Sequence, residues 1–181
     1  MNADERTRLA AAAHRLGEAP LVIDETPSPT VEHIVARCRQ QRAETEVALV
    51  VVDHLQLIST GEAQGSWLRR MTQVCLGLKA AARSIGAPLL CVSELNRGPE
   101  SRCDHRPMLW DLRDAGAIEL AADVIGFLYR EEYYSKDRCP EDKLGIAELI
   151  VAKNKAGPTG AVELQFSTKH LRYENLNADG T

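Results

Sequence analysis

The sequence predicts an α/β domain in which helices cover a mostly parallel sheet that carries an antiparallel hairpin at one edge. Residues 47–52 and Leu89-Leu90-Cys91-Val92-Ser93 are short apolar runs, the pattern of strands buried on both faces. Between them, from about Ser66 to Ile85, lies an amphipathic segment long enough for the helix that a parallel crossover needs, which makes a right-handed βαβ unit. Near the end, Ile146–Ala152 and an alternating strand with Val162, Leu164 and Phe166 on one side flank Gly157-Pro158-Thr159-Gly160, and this reads as a hairpin.

The remaining elements follow in chain order. Residues 4–17 place Leu9, Ala12, Ala13 and Leu16 on one helical face and end at Gly17, which predicts a short surface helix. Pro20-Leu21-Val22-Ile23-Asp24 reads as a brief strand, broken by Thr26-Pro27-Ser28-Pro29. Thr30 is a cap for a helix bearing Val31, Ile34, Val35 and Cys38, with Glu32 and His33 as first-turn surface residues. Residues 59–65 form a polar loop. The helix after it buries Met71, Val74, Cys75, Leu78, Ala81, Ala82 and Ile85, and Gly86-Ala87-Pro88 stops it. From Glu94 to Met108 no period is visible, and a stretch of that length in a compact domain is either disordered or functional. A helical piece is expected near 109–121, then a buried strand over 124–129, a charged loop over 130–144, and a frayed tail from Asn175.

Composition bounds what such a domain does. The chain has 181 residues, 44% hydrophobic and 27% charged, with a net charge of −4. That length supports one domain with a substantial core, and no stretch has the apolar length of a membrane span. The N-terminus lacks the basic-then-apolar pattern of a secretory leader, and five cysteines without a CxxC pair read as free thiols, so a cytoplasmic setting is expected. The acidic balance argues against a basic coat over the whole surface, but a local loop can still contact nucleic acid.

Asp53 closes the run of residues 47–52. Open α/β sheets bind ligands at the carboxyl ends of their strands, and an aspartate there can hold the water shell of Mg²⁺ on a triphosphate. The same pattern also occurs as an ordinary strand end or helix cap, and the segment alone leaves both readings open. Cys103 and His105 share the charged loop without obvious further ligands. Tyr133-Tyr134 is suited either to stacking on a base or to packing on the hairpin.

Five segments occur in a fixed order: Val51-Val52-Asp53-His54-Leu55-Gln56-Leu57, then Val92-Ser93-Glu94-Leu95-Asn96-Arg97, then residues 106–119 with Asp111-Leu112-Arg113-Asp114-Ala115-Gly116 at their centre, then Ala122-Asp123-Val124-Ile125, and last Lys153-Asn154-Lys155-Ala156-Gly157-Pro158-Thr159-Gly160. Together, over about residues 4–172, they resemble the C-terminal RecA-like motor domain of bacterial DnaB-type replicative DNA helicases. The resemblance implies a P-loop NTPase-type sheet in a hexameric ring, with ATP between neighbouring domains and single-stranded DNA through the centre. The activity it implies is ATP-driven 5′-to-3′ translocation that unwinds duplex DNA. Residue by residue, it assigns Asp53 to the magnesium of the nucleotide and Glu94 to the position that senses the γ-phosphate. It assigns Arg113, Asp114 and Gly116 to a segment that holds a DNA phosphate, and Lys153 and Lys155 to a basic pair directed at a neighbouring subunit's phosphates. A glycine that lets the main chain approach and an arginine that supplies a charge-assisted bond suit sequence-independent, salt-sensitive backbone contact.

The sequence departs from that family in four places. No G-x-x-x-x-G-K-[ST] loop occurs in these residues, although it would cradle the phosphates and its hydroxyl would hold Mg²⁺. The family places that loop and the water-activating glutamate upstream of everything matched here. The expectation is therefore a partial RecA-like domain over residues 1–174, lacking the P-loop strand and helix, with a flexible tail over 175–181. Such a chain would not hydrolyse ATP alone. Glu94 stands where the family usually has glutamine, and Lys153-Asn154-Lys155 stands for Lys-x-Arg, which keeps the charge but loses the planar fork. Leu120 and Ala121 replace polar residues. Read without the resemblance, Glu94 is a solvated carboxylate, the two lysines are edge-strand charges, and His54 has no chemical role. Two functions follow: a portion of the helicase motor whose other parts come from another chain or a longer natural product, or a non-catalytic module that binds DNA or a helicase partner. An exposed sheet edge or apolar face, and hence self-association, is expected of either.

Overall fold

A computed structural model describes residues 2–61 and 66–176. Helix α1 (Ala3–Gly17) starts in a capping box, in which the Asn2 side chain accepts from the Glu5 N–H and Glu5 answers to the Asn2 N–H. None of its residues is buried, so it lies on the surface as its pattern predicts. Helix α2 (Val31–Arg42) is capped by Thr30, whose hydroxyl accepts from the His33 N–H. Helix α3 (Trp67–Ile85) is capped by Ser66 and ended by Gly86, whose φ of 72° is the left-handed conformation that glycine adopts without penalty.

The stripe on α3 is buried as its spacing requires, through Met71, Val74, Cys75, Leu78, Ala81 and Ile85. It packs with α2 against one face of two short parallel strands, β1 (Val50–Val52) and β2 (Leu89–Cys91), which pair Val50 with Leu89 and Val52 with Cys91. Burying a side chain the size of Leu78 or Ile85 stabilises the fold by about 1.5–3 kcal/mol each, so this stripe anchors the βαβ unit. The opposite face of the same strands is open. Leu49, Val51, Leu90 and Val92 are each about half exposed, although parallel sheets are ordinarily covered on both faces.

A second sheet of four antiparallel strands follows: β3 (Val124–Tyr129), β4 (Ile146–Asn154), β5 (Gly160–Ser167) and β6 (Arg172–Asn175), in that order. Ile125, Phe127 and Tyr129 of β3 are buried, whereas Val124, Gly126 and Leu128 face outward. The β3 strand is therefore covered on one side only and not on both as its apolar run predicts. Helix α5 (Ala115–Ala121) joins the two sheets, with Ala117 and Ala121 in the α3 core while Ile118 packs on Leu112, Ile125 and Phe127.

The fold is the α/β arrangement expected, with parallel and antiparallel pairing, but its antiparallel part exceeds a hairpin. Strand β6 extends it, and Asn175, assigned to the tail by sequence, pairs with Leu164. Residues 177–181 of that tail, and residues 62–65 of the polar loop, lie outside the described residues. Leu21, Val22 and Ile23 are extended but join no strand among the described residues, and all three are exposed. Their apolar run has no ladder to complete there. The helix expected over 109–121 is split, because Asp114 takes a φ of 68° between a 3₁₀ turn at Leu109–Asp111 and α5. Short helical turns, α4 (Gly98–Ser101) and α6 (Glu131–Ser135) among them, occupy the two charged loops. No helix among the described residues is long and apolar enough to cross a membrane.

Candidate functional site

Strands β1 and β2 end side by side, and Asp53 and Glu94 emerge there. The ladder carries past the strands, with Val92 donating to the Val52 carbonyl and Leu55 to that of Val92, both at 2.9 Å. Gln56 ties the two ends together through its amide: Nε2 donates to Ser93 Oγ at 3.1 Å, and Oε1 accepts from the Glu94 N–H at 3.2 Å. Asp53 itself is exposed and makes no ion pair among the described residues. A free carboxylate at a strand end fits one ligand position of Mg²⁺, an ion that takes few protein oxygens and keeps several waters. No group of three or more His, Cys, Asp or Glu side chains suited to a metal occurs among the described residues, so Cys103 and His105 form no such site. His105 instead stacks on Tyr134 at 4.6 Å between ring centroids. Tyr134 is thus packed, and only its neighbour Tyr133 is exposed.

The segment after β2 is braced against the segment before α5. Leu95 and Leu112 form an antiparallel bridge, Arg113 donates its N–H to the Glu94 carbonyl at 3.1 Å, and Asn96 donates to that of Asp111 at 2.6 Å. The brace has an ionic core that sequence reading missed. Asp111 is 1% exposed and accepts from both terminal nitrogens of Arg102 and from the Met108 N–H. Arg102 holds its carboxyl below the usual range against the opposing effect of burial. Gly98 is required beside it, since a Cβ there would lie 2.5 Å from Asp111 Oδ1. The loop over Glu94–Met108 is held by these main-chain and ionic contacts. It is a clamp on Leu112-Arg113-Asp114.

What that clamp presents is the Arg113–Gly116 turn. Asp114 is fixed by Trp67, whose indole Nε1 donates to Oδ1 at 2.7 Å. Arg113 projects its guanidinium outward, 58% exposed, and its Nη1 donates to Glu94 Oε2 at 2.7 Å. His54 Nε2 lies 3.6 Å from the other Glu94 oxygen, so His54 and Glu94, read as bystanders from the residues alone, meet at this edge. Gly116 is exposed on the first turn of α5, and a Cβ built there meets nothing within 4 Å. No packing within the chain demands a glycine at that point.

Lys153 and Lys155 lie elsewhere. Lys153 Nζ donates to the carbonyl of Glu119, and Lys155 pairs at 3.4 Å with Asp123, which Lys79 also binds. Lys79, first, and Lys155 after it lower the Asp123 carboxyl below its ordinary range. Glu119 and Asp123 flank the C-terminal end of α5, whereas Arg113 and Asp114 precede its N-terminal end. The structure thus brings Asp53, Glu94, Arg113, Asp114 and Gly116 to one edge and leaves the two lysines at the other end of that helix.

An α/β fold with an exposed arginine turn at the carboxyl edge of its parallel strands defines the site. Residues 1–175 match the model of the DnaB-like helicase C-terminal domain. The chain is 38% identical over 170 residues to the replicative DNA helicase DnaB of Geobacillus stearothermophilus, covering 93% of this chain and 37% of that protein. Its identity to the replicative DNA helicase DnaB of Mycobacterium leprae is 38% over 176 residues, covering 97% and 29%. One solved ATPase domain superposes with a TM-score of 0.89 at 34% identity, covering 97% of this chain and 62% of that one. A DnaB-like replicative helicase, solved in a study of its interactions with primase, gives 0.88 at 34% identity over 97% and 42%. The chain belongs to the DnaB-like helicase C-terminal domain family, and it has the RecA-like fold. It spans about a third of the length of the curated relatives it matches.

Proposed function

We propose that this chain supplies the DNA-facing sheet edge of a DnaB-type helicase motor and holds the phosphodiester backbone of single-stranded DNA through the Arg113–Gly116 turn. The observation that carries this is the pairing of an exposed guanidinium with an exposed glycine that has no internal reason to be one, on a turn clamped from behind by Asp111 and Trp67. Arginine gives a charge-assisted bond to phosphate, and the glycine leaves room for the strand to meet main-chain N–H groups. Asp53 offers one carboxylate to the magnesium of a nucleotide. Lys153 and Lys155 are directed at phosphates bound by a neighbouring subunit, as in a ring in which ATP lies between domains. The motor activity belongs to the assembled ring, and the chain spans about a third of the length of its curated relatives. A second reading, a non-catalytic DNA-binding or helicase-partner module, is favoured by the open apolar face of β1 and β2.

The test is binding of a labelled oligothymidylate by anisotropy across a salt series, with and without a Mg²⁺–ATP analogue. Backbone contact to about three phosphates gives a log–log salt slope of about −2 for a single strand, and losing one contact removes about 0.7 of it. Arg113→Ala should weaken binding and flatten the slope by that amount. Equal slopes for the two proteins would rule out Arg113 as the phosphate contact. Tight nucleotide binding without DNA binding would overturn the DNA-facing role.

A further inference from the structure

We propose that Glu94 sets the affinity of this edge for a phosphodiester backbone, because its carboxylate occupies the guanidinium of Arg113 that a phosphate would otherwise take. This rests on the reading of Arg113 as a backbone contact. The pair is short, 2.7 Å from Arg113 Nη1 to Glu94 Oε2, and open to water, with the side chains 58% and 45% exposed. An incoming phosphate therefore meets an arginine already engaged through one nitrogen by a competing oxyanion.

The ion pair is not what holds the two segments together. The Arg113 N–H to Glu94 carbonyl bond, the Leu95–Leu112 bridge and the Asn96-to-Asp111 bond do that through the main chain, and the Gln56 amide fixes the Glu94 N–H from the other side. Removing the charge at Glu94 leaves every one of these in place. The surroundings sharpen the effect, because Asp53, Glu94 and Asp114 place three carboxyl groups near Arg113, beside His54. Glu94 is the only one of the three that binds the arginine. A neutral amide of the same shape would release Arg113 and remove the nearest repulsion on a phosphate oxygen.

The experiment compares the full chain with Glu94→Gln, Arg113→Ala and the double variant, using a fluorescein-labelled oligothymidylate at several salt concentrations and, separately, a fluorescent adenine nucleotide with Mg²⁺. Glu94→Gln should bind the oligonucleotide about 3- to 10-fold more tightly, because the competing charge on Arg113 is gone while the contacts to phosphate stay the same. The gain should vanish in the double variant. Glu94→Ser serves as a second charge-removing variant should Glu94→Gln melt early. The inference is overturned if Glu94→Gln binds DNA like the wild type, if its gain survives loss of Arg113, or if the gain is confined to the nucleotide. Arg113→Ala separates the two levels. If it alone leaves DNA binding unchanged, or if no protein in the set binds DNA at low salt, the backbone reading fails and this inference falls with it. If it weakens binding while Glu94→Gln changes nothing, only the role of Glu94 is refuted.

Discussion

The clamp behind the arginine turn is the part of the site whose energetics can be worked most directly. Asp111 is 1% exposed and receives hydrogen bonds from both Arg102 terminal nitrogens and from the Met108 N–H. Asp111→Asn keeps the shape, removes the charge and turns an amide N–H toward a guanidinium that can only donate. Breaking one side of a buried pair costs about 3–5 kcal/mol. Arg102 is a quarter exposed and can partly rehydrate, which places the expected loss near the lower end, about 3 kcal/mol. In a chain of this size that is a fall in Tm of roughly 6–12 °C. Thermal and urea melts followed by circular dichroism measure it, and a double-mutant cycle with Arg102→Met isolates the pair. The pH dependence has a definite sign. Arg102 holds the Asp111 carboxyl below its unfolded value, so the stabilisation is complete above about pH 4 and is withdrawn as pH falls through the folded-state value. The gap between wild type and Asp111→Asn should therefore narrow in acid. A loss under about 1 kcal/mol at neutral pH, or additive single and double variants, would refute the claim that this pair braces the turn.

Three further outcomes are expected. Gly116→Ala should raise stability by about 0.5–1 kcal/mol, because alanine is the better helix former and the new methyl meets nothing, yet it should weaken oligonucleotide binding in the anisotropy assay; unchanged binding would remove Gly116 from the interface. Burial pushes the thiols of Cys75 and Cys91 up to about 11 and about 12, so their neutral form is favoured in the fold, and the stability they confer should be constant below about pH 9 and decline above it. At pH 8 iodoacetamide should modify the exposed Cys103 well before the buried Cys75 and the partly buried Cys91, and equal rates would contradict that shielding. The open face of Leu49, Val51, Leu90 and Val92 should promote self-association, so Leu90→Glu should lower the weight-average mass in sedimentation equilibrium; an unchanged mass would show that the contact lies elsewhere.

Where the physics was local, the fold could be read directly. Ser66, the Met71–Ile85 stripe and Gly86 carry a cap, a face and a stop within one helix, and each does in the structure what its residue type requires. Thr30 is of the same kind, and the parallel pairing of residues 50–52 with 89–91, though distant in sequence, follows from two apolar runs joined by a crossover helix. The failures are non-local or conformational. Leu21-Val22-Ile23 has the composition of a strand, but strand formation depends on a neighbour's free ladder, which composition does not reveal. The break at Asp114 depends on a positive φ that Asp tolerates but does not announce. The clamp of Arg102 on Asp111 and the anchor of Trp67 on Asp114 join residues 9 and 47 positions apart, and opposite charges in a loop rich in both signs do not choose their own partners. Nor did the sequence show that Arg113 is already held by Glu94.

Helix α5 bears on how the two halves of the site work under the proposed reading. Its seven residues rise by about 10 Å, and they separate the Asp53–Glu94–Arg113 edge from Lys153 and Lys155. A single copy of the chain therefore does not gather its magnesium-directed aspartate and its lysines on one phosphate. Under the proposed reading the lysines at the far end of α5 act outside their own chain, and Asp123 holds one of them, Lys155, until then. It binds both Lys79 and Lys155. When Lys155 turns to a phosphate, Lys79 remains to neutralise the carboxylate, so the move strands no unpaired charge. Lys79 then carries the load of Asp123 alone, and Lys79→Met should oppose that move, because Lys155 would have to leave a carboxylate with no other partner.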